Sequence, residues 1–203
     1  MRKALTVGEL LVAMTIIGVI AMLVLPSFLK DYHKKLYTTR IKKVYEMVSE
    51  AVERACVDSN VSYFQQTIYS QSNKDAQQAF LNKYFKRASS STAFPFASQY
   101  GSIKETKTEA PDVKANTANA KLAGGEALAI ACEHDKAQCT VYVDINSLEG
   151  PNIGGRDFFQ FKINSNNNTI ISKPTNNTPC ISDTSGEACL DLLIKNNWIM
   201  EYE

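Results

Sequence analysis

MRKALTVGELLVAMTIIGVIAMLVLPSFLKDY, residues 1–32, decides how the rest of the chain is read. From Leu10 to Leu25 there is no charge, only side chains a bilayer accepts, with one Thr and one Gly. Extended to Leu5 and Leu29 the run is about 25 residues. As a helix it is roughly 37 Å long at ~1.5 Å per residue, enough to cross a hydrocarbon core of ~30 Å. Glu9 stands at its mouth. An acid at the centre of such a span costs ~2.5–3.5 kcal/mol on insertion scales, and less near the interface. An ionisable group in this place calls for a partner that can be named.

The remainder is an ordinary globular composition. The 203 residues are 44% hydrophobic and 21% charged, which allows one modest domain beside the N-terminal segment. A net charge of +1 argues against nucleic acid, because there is no basic field to release counterions from a phosphate backbone. Five cysteines bear on the compartment. Cys132 with Cys139 and Cys180 with Cys189 are two close pairs, and in a non-cytosolic domain they read as small-loop disulfides. Reduced packing cysteines are the alternative. Metal binding is the weaker one, since no CxxC occurs and the only histidines are His33 and His134. Cys56 lies on a helical pattern and reads as a buried free thiol.

The N-terminal run admits three readings. A cleaved secretory signal fits Arg2 and Lys3, but the apolar stretch is too long and Pro26-Ser27-Phe28-Leu29 follows it where a small-x-small site belongs. A plain single-pass anchor explains the length but leaves Glu9 unexplained. Lys30, Lys34 and Lys35 beyond the span also blur the positive-inside orientation. The third reading uses the motif itself: Arg2-Lys3-Ala4 followed by Leu5-Thr6-Val7-Gly8-Glu9 resembles the leader of type IV prepilins and type II secretion pseudopilins. Ala4 stands where that family has glycine, and Leu5 where it has phenylalanine.

The resemblance implies cleavage between Ala4 and Leu5 on the cytoplasmic side and N-methylation of Leu5. It makes Glu9 the fifth residue of the mature chain, pairing with the N-terminal ammonium of a neighbouring subunit. Methylation leaves that amine charged, so the pair survives it. Gly18 matches a commonly small position and Pro26 a helix-loosening proline, so Glu9, Gly18 and Pro26 are the assembly residues. The implied partners are other copies and related pilin subunits, the prepilin peptidase that also methylates, an inner-membrane assembly platform and the bilayer. The implied location is the bacterial inner membrane, single-pass, with the head outside the cytoplasm, and then a pilus or pseudopilus filament.

Beyond Pro26 the chain becomes amphipathic. Phe28, Tyr32, Leu36, Ile41, Val44, Val48, Ala51, Val52 and Ala55 recur at helical steps, with Lys and Glu on the other sides. This predicts one helix from about Thr6 to Val57, loosened or kinked at Pro26 and ended by Asp58-Ser59-Asn60. The basic residues from Lys30 to Lys43 read as a solvated face, with anionic headgroups a secondary contact. The domain boundaries are therefore a leader at 1–4, a membrane and assembly half-helix at 5–29, an amphipathic half at 30–58 and a globular head at 59–203.

In the head, 61–90 predicts one or two short helices, and the Ser/Thr/Lys-rich stretch from Ser89 to Ala120 a long surface excursion with one strand. Ala127 to Glu133 and Thr140 to Ile145 read as a hairpin bridged near its end by Cys132 and Cys139. Asp157 to Ile163 alternates and turns through Asn164 to Asn168 into Thr169-Ile170-Ile171. An antiparallel sheet on the long helix gives an α+β fold, pilin-like in its architecture. CISDTSGEAC, Cys180 to Cys189, resembles the disulfide-closed C-terminal loop of pilins, and Trp198 reads as core.

The loop VDINSLEGPNIGGRDFFQF, Val143 to Phe161, looks like a segment that recurs in pilin-like proteins. Asp144, Asn146, Asn152 and Asp157 offer oxygens that suit a calcium ion, and pseudopilins of one type bind calcium in a loop. Calcium wants six to eight oxygens, whereas these residues also suit plain turn chemistry with Asx side chains on backbone groups. The turn reading is preferred, and no cofactor is expected.

No GxSxG, HExxH or P-loop occurs, and neither histidine stands near a plausible nucleophile, so no enzyme is expected. The functional expectation is a structural filament subunit assembled through its N-terminal helix. The alternative is an unprocessed single-pass membrane-anchored binding module acting outside the cytoplasm.

Overall fold

The computed structural model describes residues 6–88, 93–104, 108–114, 116–172 and 179–202, in two compact units, Met1–Leu36 and Tyr37–Glu203. Helix α1, Val7–Asp58, contributes residues to both. In the first unit no residue from Thr6 onward is buried, and the large apolar side chains stand out, from Val7 at 75% exposed to Met22 at 77%. Both sides of Pro26 are helical. Thr15 Oγ1 and Ser27 Oγ donate to the carbonyls of Val12 and Val24, three residues back, which keeps both hydroxyls satisfied without water.

In the second unit the same helix is one-sided. Thr38, Ile41, Val44, Val48, Ala51, Val52, Ala55 and Cys56 are buried, a stripe at steps of one, three and four residues. The expected stripe began earlier, but Phe28 and Tyr32 are 64% and 56% exposed, because the head's core starts only at Thr38. The helix ends where Asn60 takes a left-handed conformation (φ 52°) and the Val61 N–H reaches back to the Cys56 carbonyl. Asparagine tolerates that geometry better than a branched residue would.

A five-stranded antiparallel meander packs on this stripe. It runs β3 (Ala118–Lys121), β4 (Ala127–Glu133), β5 (Gln138–Asp144), β6 (Phe158–Asn164) and β7 (Thr169–Ile171), in sequence order. Side chains alternate across the sheet. Leu128, Ile130, Val141, Val143, Phe159, Phe161 and Ile163 therefore join the α1 stripe in one core. Tyr45 of α1 touches Phe161 and Trp198 edge-on or tilted, with ring centroids 5.5 and 5.4 Å apart. Trp198 lies at the margin of the core, half-buried. Cys56 is buried as a free thiol.

Between α1 and the sheet's first strand come two single 3-10 turns and helix α2, Lys74–Tyr84. The Asn73 side chain caps α2 by accepting from Asp75 N at 2.8 Å. Asp58 fastens this helix to the end of α1, meeting Lys83 Nζ at 2.7 Å and accepting from Tyr84 OH at 3.0 Å.

The stretch from Ser89 to Ala120 departs from expectation. Its described residues form not one strand but β1 (Tyr100–Gly101) and β2 (Thr108–Glu109), paired to each other, and β3. Nor is it only surface: Phe96, Tyr100 and Val113 are buried against Ala127, Ala129, Tyr142 and Phe158 on the sheet's outer face. That face is apolar, so it needs a cover, and this segment supplies one.

Both disulfides are formed. Cys132–Cys139 joins directly opposed residues of β4 and β5, and Cys180–Cys189 ties a 3-10 turn to helix α3, Glu187–Lys195.

Candidate functional site

Glu9 sits on the first turn of α1, and the sequence that places it there also gives it a partner. Thr6 is the cap: its N–H and its Oγ1 both donate to Glu9 Oε2 at 2.9 Å, while Glu9 N donates to Thr6 Oγ1 at 3.3 Å. This is the reciprocal capping box of a Thr-x-x-Glu motif, and it also sets a negative charge at the positive end of the helix. Within a single chain the carboxylate is therefore held, though in solvent-exposed geometry. The signal, Thr6-Val7-Gly8-Glu9, was present in the sequence but was not read as a cap.

Gly18 and Pro26 are two and five turns further along. A methyl group added at Gly18 would meet nothing within 4 Å, so no contact among the described residues requires glycine there. The cleavage position between Ala4 and Leu5 and the methylated residue Leu5 lie outside the described residues. The helix from Val7 is long and apolar enough to cross a membrane.

The loop from 144 to 157 is a second cluster, on the head. Asp144 and Asp157 are both fully buried. Asp157 accepts from the N–H groups of Asn152 (2.8 Å) and Ile153 (2.6 Å), which folds 152–157 into a closed turn. Asp144 accepts from Tyr100 OH and from Asn146 N at 3.1 Å, and Asn146 Nδ2 donates to the Gly150 carbonyl at 2.7 Å. Burial pushes the Asp144 carboxyl up to about 8, with the Asp157 charge adding to it, against the pull of Tyr100 and the backbone N–H groups. Burial raises Asp157 too, opposed by the N–H groups of Ile153 and Asn152.

The paired glycines have a packing reason. A side chain at Gly155 (φ 83°) would land on Cys189 Sγ, and one at Gly154 on the Thr184 carbonyl, so the disulfide segment lies flat against this loop. Tyr202 OH closes the other side by donating to the Gly155 carbonyl at 2.7 Å.

The four oxygen-bearing residues suited to calcium thus come together, but as a hydrogen-bonded turn. The carboxylates are engaged by N–H and O–H donors, leaving Asn146 Oδ1 and Asn152 Oδ1 as buried acceptors without a bond. Two amide oxygens fall short of a six-to-eight-oxygen shell. Among the described residues no three His, Cys, Asp or Glu side chains are grouped to hold a metal ion. Sequence reasoning did not find Tyr100, whose hydroxyl reaches Asp144 from 44 residues away.

No protein-family model matches the chain, and no match was found among curated proteins or solved structures.

Proposed function

We propose that this protein is a structural subunit of a type IV pilus-like or type II secretion pseudopilus filament. In this reading it enters the bacterial inner membrane through residues 5–29 with its head outside the cytoplasm. A prepilin peptidase removes 1–4 and methylates Leu5, and an inner-membrane platform drives assembly with other copies or related subunits.

One observation carries the reading: residues 7–36 are helical with no buried residue, and 10–29 of them are uncharged and largely apolar, so that surface is satisfied by lipid or by neighbouring subunits. Glu9 and Gly18 support the second surface. In a bilayer a glycine that packs against nothing in its own chain lets another helix approach closely. A carboxylate at the mouth of the span gains from a neighbour's ammonium what its own Thr6 supplies only as neutral hydrogen bonds.

The test separates the local role of Glu9 from the assembly role. Glu9→Leu and Thr6→Val are made in the producing cell, and membrane insertion, N-terminal processing and sheared surface fibres are scored together. Insertion and processing persist in both variants; fibres are lost with Glu9→Leu and kept with Thr6→Val. Equal loss in the two would reduce Glu9 to a helix cap, and normal fibres from Glu9→Leu would remove the charge-pair account. An unprocessed chain that binds a ligand while making no fibres would favour the anchored binding module.

A further inference from the structure

The turn between β6 and β7 is rich in asparagine, and its side chains are engaged in different ways. Asn164 Oδ1 accepts from Asn166 N at 3.0 Å and closes the turn. Asn168, left-handed at φ 57°, ties it to the segment after α1: its Nδ2 donates to the Ser62 carbonyl at 3.0 Å and its Oδ1 accepts from Phe64 N at 2.7 Å. Asn167 is exposed, and its Oδ1 accepts from Thr169 N at 3.2 Å and from Thr169 Oγ1 at 2.7 Å. Its Nδ2 forms no hydrogen bond among the described residues.

Asn167-Asn168-Thr169 is an Asn-x-Thr triplet, the acceptor pattern for an N-linked glycan on a surface turn outside the cytoplasm. Two more triplets of this kind occur in the chain. Asn176-Asn177-Thr178 lies outside the described residues. Asn60-Val61-Ser62 follows α1, with Asn60 left-handed at φ 52° and no bond between the Asn60 and Ser62 side chains. Of the two described triplets, only Asn167 has its amide oxygen held by the hydroxyl two residues on.

That contact has a chemical consequence. An amide nitrogen is a poor nucleophile because its lone pair is delocalised into the carbonyl. Two donors on Oδ1 make the Nδ2 protons more acidic and fix the amide, leaving Nδ2 as its open end. Asn168 anchors the turn on the head, so an enzyme that takes it up has little ordering left to do.

We propose that Asn167 is a modification site, at which a glycan is attached through Nδ2 by a transferase that uses a glycosyl diphosphate. Nδ2 attacks the anomeric carbon; the C–N bond forms as the C–O bond to the diphosphate breaks. The diphosphate leaves with the electron pair, and the Nδ2 proton passes to a base of the transferase. Thr169 acts through Asn167 as a positioning residue. β7 ends the sheet, and a glycan beside it hinders another chain from pairing along that edge. The site is independent of filament assembly: a chain that forms no fibres still carries the glycan.

The test maps glycopeptides of the full chain, isolated from producing cells, by electron-transfer fragmentation, which leaves sugars on their residues. Hexose or N-acetylhexosamine should be found on Asn167. Asn167→Gln should abolish it and Thr169→Ser should keep it. Thr169→Val keeps the β-branched shape but not the donor, and should lower occupancy about 10-fold with an unchanged near-UV circular dichroism spectrum. Glycan confined to disulfide-bonded chains outside the cytoplasm identifies a polyprenyl diphosphate as the donor, and glycan already on the reduced cytoplasmic chain identifies a nucleoside diphosphate sugar. The inference fails if Asn167 is unmodified in the parent chain, if the sugar sits on Thr169 or another hydroxyl, if Asn60 is occupied as fully as Asn167, or if Thr169→Val is occupied as fully as Thr169→Ser.

Discussion

Phe161→Ala asks whether the stripe on α1 and the inner face of the sheet form one core. Phe161 is fully buried on β6, opposite Val141 and 5.5 Å from the Tyr45 ring. A buried phenylalanine removes ~200 Å² from water, worth about 5 kcal/mol at ~25 cal/mol per Å² as an upper bound. Alanine keeps a fraction of that, and the cavity it leaves adds a cost, so the expected loss is ~3–5 kcal/mol. At ~2–4 °C per kcal/mol for a domain of this size, Tm falls by about 6–20 °C. The assay is thermal unfolding of the full chain in detergent, disulfides intact, followed by near-UV circular dichroism. Ile171→Ala, on edge strand β7 and 37% exposed, is the matched control, with a loss of about 1 kcal/mol or less. Tyr45→Leu in a double-mutant cycle with Phe161→Ala should return a coupling of ~0.5–1.5 kcal/mol. A Phe161→Ala loss no larger than that of Ile171→Ala, or zero coupling to Tyr45, would refute the single helix–sheet core.

Three further outcomes follow from the 144–157 loop. The Asp144 carboxyl is held up at about 8 against an ordinary value of 3.8, so the folded state holds a proton that the unfolded chain releases. The stability this contributes is present in full below about 4 and is lost as pH rises through about 8; unfolding midpoints measured from pH 5 to 9 should fall, and Asp144→Asn should flatten the slope. Gly155→Ala should cost about 2 kcal/mol or more, since its φ of 83° and the contact with Cys189 Sγ both oppose a side chain; a near-neutral melting shift would contradict the packing described. Because the carboxylates are already engaged by protein donors, calcium at about 5 mM should move Tm by less than about 1 °C, where a dedicated site would raise it by mass action.

Much of this architecture is readable from local patterns. The period of Ile41, Val44, Val48, Ala51 and Val52 foretells the buried face of α1. The apolar run Ala127 to Glu133 and the alternation in Asp157 to Ile163 foretell β4 and β6 within a residue. The cysteine spacing fits both disulfides because each pair closes a short loop. What is hidden depends on distant partners. Phe28 and Tyr32 share the period of the buried stripe, yet they are 64% and 56% exposed among the described residues, and period alone does not say where a partner begins. Phe96, Tyr100 and Val113 lie irregularly in a polar stretch, so their role as cover for the sheet's outer face shows only once that face exists. Asp144 looks like a solvent-facing loop acid; its burial follows from Tyr100, far away in sequence. The Thr6-x-x-Glu9 spacing carries a signal for the Glu9 cap that the sequence reading did not draw, although capping needs only neighbours within one turn.

Intact-mass and N-terminal peptide analysis of the protein recovered from the membranes and surface fibres of producing cells tests the assembly account most directly. The account predicts a chain that starts at Leu5, carries one added methyl on that residue's amine, and is found in polymer. Met1 still attached in the polymer, or a chain trimmed beyond the apolar helix, would contradict it.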